Sequence, residues 1–359
     1  MPKPDLSIII PTLNEAAALP LLLDDLVRQQ GLSFEVIVTD GGSLDATCQL
    51  ANTLFASGRL SGRCHVGPSG RGRQLNAGVS LANAEWLLFL HADSRLADVN
   101  QLQQALDCMR SHQQRDASDS SAGRFALSFD SSDKNNFGLF FYQIKARLGR
   151  SGCIHGDQGM LLTKAFFNRI GPYREDLPVM EDTCLAEDIR IHGQWLLLPG
   201  EIETSARRFQ AEGMKARQTL NALMMNFLAI GWLEFFHKAP DIYRRQDHTQ
   251  QLQMSPFFYL LKELFSEMPL RSRWEIWLAT GHYVRSQAWQ IGLALDCRKA
   301  FRDGVDPLQP DGKWLSWFDR WFDPLTNHYV GYVMTALLVR VWFVWQLRYK
   351  SNNRVNRSG

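Results

Sequence analysis

No CxxC pair and no metal-type cysteine spacing occurs in this chain; Cys48, Cys64, Cys108, Cys153, Cys184 and Cys297 lie scattered along 359 residues. Nothing in that spacing points to a disulfide scaffold or a zinc ribbon, and a reduced, cytoplasmic protein with structural thiols is expected. The N-terminus lacks a basic stretch followed by an apolar run, so no secretory signal is expected. There is no internal repeat. Net charge is only +2, and no nucleic-acid partner is expected from it. Glycine is missing from the turn after the first apolar run, where Pro11-Thr-Leu-Asn-Glu15 stands. A dinucleotide-binding turn needs glycine there, because only glycine lets backbone approach a pyrophosphate. Gly70-Arg-Gly72-Arg-Gln-Leu-Asn-Ala-Gly78 lies in the wrong unit for that motif.

What is present is ordinary globular material, 45% apolar and 21% charged, long enough for one large domain or two smaller ones. The charge is unevenly divided. Residues 1–209 carry 20 Lys/Arg against 24 Asp/Glu, residues 210–359 carry 19 against 13, and nine of the eleven Trp fall in the second part. A boundary near residue 209 is therefore expected, with an α/β domain over 1–209 and a mostly α-helical extension over 210–359.

Leu6–Ile10 reads as a buried strand ended by Pro11, followed by a helix over 16–30 and a second strand over Phe34–Thr39. Helix over 47–57, a weak strand at 63–66, helix over 74–84 and a strand at Trp86–Leu90 continue the alternation. Residues 112–121 read as an exposed loop and 123–129 as a strand. Residues 130–137 are polar, and 138–150 is an amphipathic helix. A strand at 160–162, helices over 164–170 and 183–192, a strand at 195–198 and an extended piece at 201–205 complete the domain. Such βαβ units are right-handed and set the strand carboxyl ends along one edge. Residues 14–15, 40–45, 70–73 and 91–93 would then converge on one crevice.

Each cluster has two readings. Asp40-Gly-Gly-Ser-Leu-Asp45 suits a ligand loop, but also plain turn chemistry with Asp45 capping the next helix. His91-Ala-Asp93, read as extended, presents two potential ligands on one side, suited to Mg²⁺ or Mn²⁺. The other reading is a lone His and a capping Asp. Met180-Glu-Asp182 suits a base before a helix, or carboxylates favoured by the helix dipole.

Taken in order, Ser7-Ile-Ile-Ile-Pro-Thr-Leu-Asn-Glu15, Val38-Thr-Asp-Gly-Gly-Ser-Leu-Asp45, Asn76-Ala-Gly78, Phe89-Leu-His-Ala-Asp93 and Met180-Glu-Asp182 resemble the motif series of family 2 glycosyltransferases over residues 6–209. The 70–78 and 90–95 strings are similar to a short bacterial subgroup labelled selenodomain-associated. The resemblance implies a GT-A (Rossmann-like) nucleotide-sugar-binding domain, inverting transfer, a UDP-type nucleotide-diphosphate sugar donor and a divalent metal. It implies Asp182, with Glu181, as catalytic and Asp93, with His91, at the metal–diphosphate. Donor or acceptor binding falls to Pro11, Thr12, Asn14, Glu15, Asp40, Gly41, Asp45, Arg71, Arg73, Asp157 and Gln158. The chain departs from the family at His91, where Asp is usual, and at Leu75, where Arg usually precedes the Asn of Asn-x-Gly.

In the extension, 220–236, 257–265, 274–294 and 314–321 read as helices. Tyr329–Leu347 is long enough to span a bilayer but contains Arg340. The positive-inside rule would place Arg348, Lys350, Arg354 and Arg357 in the cytosol, where a donor-using domain must also lie, so one span would put the two ends on opposite sides. That conflict argues for a helix in the interface at the inner face of the cell membrane; a soluble helical core and a true span are the other readings. Rival functions are a nucleotidyltransferase and a non-catalytic, membrane-docked nucleotide-sugar binder. Sugar release from a nucleotide-sugar panel, with metal or chelator, separates them.

Overall fold

The structure, a computed structural model, describes residues 3–116, 118–130, 136–246, 251–304 and 312–355, with backbone alone for 349–355. Arg357 and most of the polar 130–137 stretch lie outside the described residues. The chain forms two compact units, residues 1–135 with 142–206, and residues 136–141 with 207–359.

The first unit contains β1 (Leu6–Thr12), α1 (Leu19–Val27), β2 (Phe34–Asp40), α2 (Thr47–Ala56), β3 (Gly62–Val66), α3 (Arg71–Leu81), β4 (Trp86–Phe89), β5 (Arg95–Leu96), α4 (Gln101–Asp116) and β6 (Ser121–Phe129). After α5 (Phe137–Ala146), which the two units share, come β7 (Met160–Thr163), α6 (Lys164–Ile170), α7 (Glu181–His192) and β8 (Gln194–Thr204). One sheet runs β3-β2-β1-β4-β7-β6-β8-β5. Its first four strands are parallel, β7 is antiparallel to β4 and β6, and β6 and β8 are parallel. Every β1 residue is buried, as a parallel sheet covered on both faces requires.

Pro11 lies inside β1 rather than ending it, paired with Thr39. Leu90 N–H donates to Ile9 O, and the β4 ladder stops at Ile9 opposite Phe89. Strand groups alternate sides, so the N–H that proline lacks would point where β4 has already turned away. The seam between β1 and β4 therefore opens at the carboxyl edge, on the side where the strand order reverses.

Residues 112–116 belong to α4, not to a loop. Leu102, Ala105, Leu106 and Met109 bury one face of this helix, and its polar end only looks loop-like because it is solvated. α3 starts at Arg71 rather than Gln74, and β8 is a single strand over both expected pieces. Gly78 lets α3 lie directly on β1, since a methyl there would sit 2.4 Å from Ile9 Cγ2. Gly72, at the other end of α3, faces the Arg174 carbonyl at 2.5 Å from the same construction.

Two buried carboxylates tie the unit together. Glu35 accepts from Ser7 Oγ (2.7 Å), Asn83 N–H (2.7 Å) and Arg63 (3.0 Å), joining the amino ends of β1, β2, β3 and β4. Asp25 of α1 accepts two bonds from Arg95 (2.6 and 3.0 Å) and one from Leu96 N–H (3.0 Å). Arg95 of the 90–95 motif is thus a fold residue.

The second unit is helical: α8 (Arg207–Glu212), α9 (Met214–Ala229), α10 (Glu234–Arg244), α11 (Ser255–Ser266), α12 (Leu270–Ser286), α13 (Trp289–Arg302), α14 (Lys313–Trp317), a π-turn (Phe318–Phe322), α15 (Asp323–Thr326) and α16 (Tyr329–Val355). The expected 220–236 helix breaks at Gly231 (φ +71°), and 274–294 breaks at Gln287–Ala288. Phe227, Trp232, Phe235, Phe257 and Leu261 form its interior.

Arg95→Ala leaves buried Asp25 with only Arg28 and the Leu96 N–H. A loss of about 2 kcal/mol is expected, below the ~3–5 kcal/mol of a wholly abandoned buried charge. Burial acts to raise the Asp25 pKa, but Arg95, Leu96 N–H and Arg28 hold it below the ordinary value. Its contribution is therefore present above the ordinary carboxylate range and lost as pH falls through the depressed value. Thermal melts of parent and variant should differ at neutral pH and converge in acid.

Candidate active site

The loops after β1 and β2 are fastened to each other. Asn14 N–H donates to Ser43 Oγ (2.8 Å) and Leu44 N–H to Asn14 Oδ1 (2.8 Å). Glu15 N–H donates to Thr47 Oγ1 (2.8 Å) and Ala16 N–H to Asp45 Oδ2 (3.1 Å). Asn14 takes the left-handed conformation (φ +56°) that this exchange needs, and Asn tolerates it better than most residues.

Asp40 is buried and serves the same loop. Its Oδ1 accepts from Gly42 and Ser43 N–H (2.9 and 2.8 Å), and its Oδ2 from the Thr12 and Ser43 hydroxyls. Burial would raise its pKa, but these donors hold it below the ordinary range. Asp45 accepts from Thr47 N–H (3.0 Å) at the start of α2. Turn chemistry thus accounts for both carboxylates, and together they shape one cradle.

Gln74, which sequence reasoning passed over, locks the cradle to α3. Its buried Nε2 donates to the Thr12 carbonyl (2.8 Å) and the Thr39 carbonyl (2.6 Å). A methyl on Gly41 would meet Gln74 Oε1 at 3.0 Å. A Gln among Arg71, Arg73 and Asn76 on a short helix carries no sequence signal of such a role.

One helical turn earlier, Arg71 reaches the start of α7. Its Nε pairs with Glu181 Oε1, and its guanidinium lies 3.7 Å from Asp182 Oδ2. Arg73 instead points outward, with Glu175 at 3.8 Å. Asp182 accepts from Gly156 N–H (2.9 Å) and Thr183 N–H (2.8 Å). Burial acts to raise its pKa. The Arg71 charge, the His155 and His91 rings and the Gly156 N–H overcome that and hold the carboxyl at about 2. Burial pushes Glu181 up, against its pair with Arg71, and Glu181 Oε2 is buried without a hydrogen-bond partner. Met180, just before this pair, is left-handed at φ +71°, a costly conformation for an unbranched side chain outside glycine.

His91 and Asp93 lie in a turn, closed by Ser94 N–H to His91 O (3.1 Å), rather than on an extended segment. A methyl built on Gly156 would lie 2.7 Å from His91 Nε2 and 2.8 Å from Asp182 Oδ2, so these two groups flank one hydrogen-sized gap. Asp157 stands beside them. Burial, with the charges of Asp182 and Asp93, pushes its carboxyl up to about 7, and its Oδ1 is buried without a hydrogen-bond partner. Gln158 faces inward instead: Arg124 donates to its Oε1 (3.0 Å), and its Nε2 donates to Cys153 O (2.8 Å). His155, also passed over, has its Nδ1 3.1 Å from Thr183 Oγ1, and burial depresses its pKa.

The structure therefore brings Arg71, His91, Asp93, Asp157, Glu181 and Asp182 together, and connects them through α3 to the 12–16 and 40–47 cradle. Among the described residues there is no group of three or more His, Cys, Asp or Glu side chains arranged to hold a metal ion by themselves.

Residues 7–169 match the model of glycosyl transferase family 2. A PGL/p-HBAD biosynthesis glycosyltransferase of Mycobacterium tuberculosis is 34% identical over 185 residues, 51% of this chain and 68% of that protein. Human dolichyl-phosphate beta-glucosyltransferase is 28% identical over 119 residues, 30% of this chain and 37% of that protein. Among solved structures, the mannosyltransferase PcManGT of Pyrobaculum calidifontis, in complex with GDP-Man and Mn²⁺, is 16% identical with a TM-score of 0.48, over 95% of this chain and 88% of that one. The protein is a glycosyltransferase with a GT-A fold. It belongs to glycosyl transferase family 2.

Gly156→Ala should fold, since its methyl meets side-chain atoms of His91 and Asp182 rather than backbone. It should displace His91 and Asp182 and lower kcat/KM by about tenfold or more, as small misplacements at a reacting centre do. Parent-like turnover in a folded variant would show that the two groups do not act at one point.

Proposed function

We propose that this chain transfers a sugar, with inversion, from a nucleoside-diphosphate sugar of UDP type to an acceptor hydroxyl, with Asp182 as the general base. The observation that carries the reading is the placement of Asp182: a buried carboxylate held as the anion, opposite Arg71 and beside Gly156 and His91. The attacking hydroxyl oxygen bonds to the sugar C1 as the bond from C1 to the diphosphate oxygen breaks, and the hydroxyl proton passes to Asp182. The 12–16 and 40–47 cradle receives the nucleoside, with Glu15 and Asp40 at base and ribose and Pro11, Thr12 and Gly41 as its floor.

A carboxylate near pKa 2 is a weak base, and Arg71 explains how it is strengthened. The guanidinium that depresses Asp182 also fits a diphosphate, which it binds in two-point fashion. A bound diphosphate draws on that charge and adds negative charge nearby, so the Asp182 pKa rises once donor is present.

A divalent cation fits this donor set. Asp157 offers a buried, unpartnered oxygen next to the charge of Asp93, and Mg²⁺ is commonly held by one or two carboxylates and completed by substrate phosphates. Asp93 and Asp157, with His91 beside them, would hold the ion, which supplies Lewis-acid stabilisation of the departing diphosphate. A nucleotide-sugar donor supports the expected cytoplasmic site of the reaction.

Asp182→Asn should reduce transfer by about 10²–10⁴-fold, the usual worth of a positioned base, while leaving donor affinity nearly intact. Undiminished turnover would end the assignment. Arg71→Met removes the cation that depresses Asp182, so the acid limb of the kcat/KM profile should move to higher pH. An unshifted limb would detach Arg71 from the base.

A further inference from the structure

The C-terminal helix α16 sits on its unit in a way that neither a core helix nor a bilayer-crossing helix does. Only 11% of its apolar stretch Tyr329–Arg348 is buried. The buried positions are on one side: Ala336 and Phe343 are covered, and the Phe343 ring meets Phe258, Phe265 and Trp277 at 5.6–6.1 Å. Gly281 of α12 brings the two backbones together, since a methyl there would lie 2.3 Å from the Tyr332 carbonyl. At 100° per residue the remaining arc covers more than half the helix circumference. Val330, Met334, Leu337, Leu338, Val341 and Trp345 occupy it, all exposed. Arg340 is its one charge before Arg348.

A core helix would bury that arc. A crossing helix would carry α12 with it, including the exposed Arg271–Glu275 pair (3.0 Å), and charges in hydrocarbon are costly. A bilayer surface meets neither objection. Residues 324–359 contain five Lys/Arg and no Asp or Glu, so the element that exposes the apolar arc is also uniformly cationic. In a symmetric pairing of two copies like patches meet, which sets Arg340 and Arg348 among like charges. An anionic lipid surface attracts those same groups.

The segment leading into α16 adds anchors. Trp314, Trp317 and Trp321 are each more than half exposed, as is usual for Trp at a membrane–water boundary. They are held in place rather than loose. Asp296 accepts from Trp314 and Leu315 N–H (3.0 and 2.9 Å), and buried Arg285 binds Asp323 (2.8 Å) and Thr326 Oγ1 (2.8 Å).

We propose that α16 docks the second unit onto an anionic lipid bilayer, lying in the plane of the surface with its outward arc among headgroups and upper acyl chains. It does not cross. The test is flotation of the full chain with vesicles of phosphatidylcholine alone and with about one-third phosphatidylglycerol, beside the double variant Leu337→Glu, Val341→Glu. Both positions are exposed, so the variant should keep the parent's thermal melt. The parent should float with the anionic vesicles about tenfold more than the variant, bind neutral vesicles more weakly and come off in alkaline carbonate. Equal flotation of parent and variant, or no flotation of the parent, overturns the proposal. Resistance to carbonate makes the helix a span and also overturns it. So does a stable dimer in sedimentation velocity without lipid that the double variant abolishes, because a second copy would then cover the arc.

Discussion

One guanidinium makes the crevice possible. Asp157, Glu181 and Asp182 crowd together at the carboxyl edge of the sheet, and three carboxylates so placed repel one another and resist burial. Arg71 reaches Glu181 and Asp182 from the first turn of α3. The result is uneven: Asp182 ionises readily while Glu181 and Asp157 are pushed the other way. The pKa values of groups of one chemical type are thereby pushed apart, which is how active sites obtain distinct roles from like residues.

The position of that guanidinium depends on packing and loop contacts elsewhere in the fold. α3 lies on β1 through Gly78 and is bound to both neighbouring loops by Gln74. Those loops are fastened to each other by Asn14, Ser43, Asp45 and Thr47. Pro11 lets β1 continue past the point where β4 leaves it. The 12–16 and 40–47 cradle and the carboxylate cluster are therefore two ends of one hydrogen-bonded assembly.

Much of this was legible in the sequence. The apolar runs at Leu6, Phe34 and Trp86 marked the central strands, and the polar clusters after them marked the edge that carries the candidate site. The ordered motifs led to the family. Single-residue roles were harder. Asp40 and Gln158 are also held by partners within the fold, a turn and Arg124, and Arg95 by Asp25, none of which sequence spacing connects to them. Gln74 and His155 were invisible for the converse reason, since burial and a distant partner give them their importance. α4 was hidden because a solvated helix end has the composition of a loop. For α16, composition left three readings open, and the proposed surface docking rests on the pattern of burial along the helix.

Gly78 has a consequence beyond packing. It works as a fulcrum: with no side chain between α3 and Ile9, the height of the helix above the sheet is fixed at that contact, and Arg71 sits two turns away at the end of the lever arm. Gly72, pressed against the Arg174 backbone, stops the arm at its far end. The reach of the guanidinium toward the carboxylates is thus gauged from the centre of the hydrophobic core, so a change in volume deep under the sheet would be transmitted to the site as a displacement of charge.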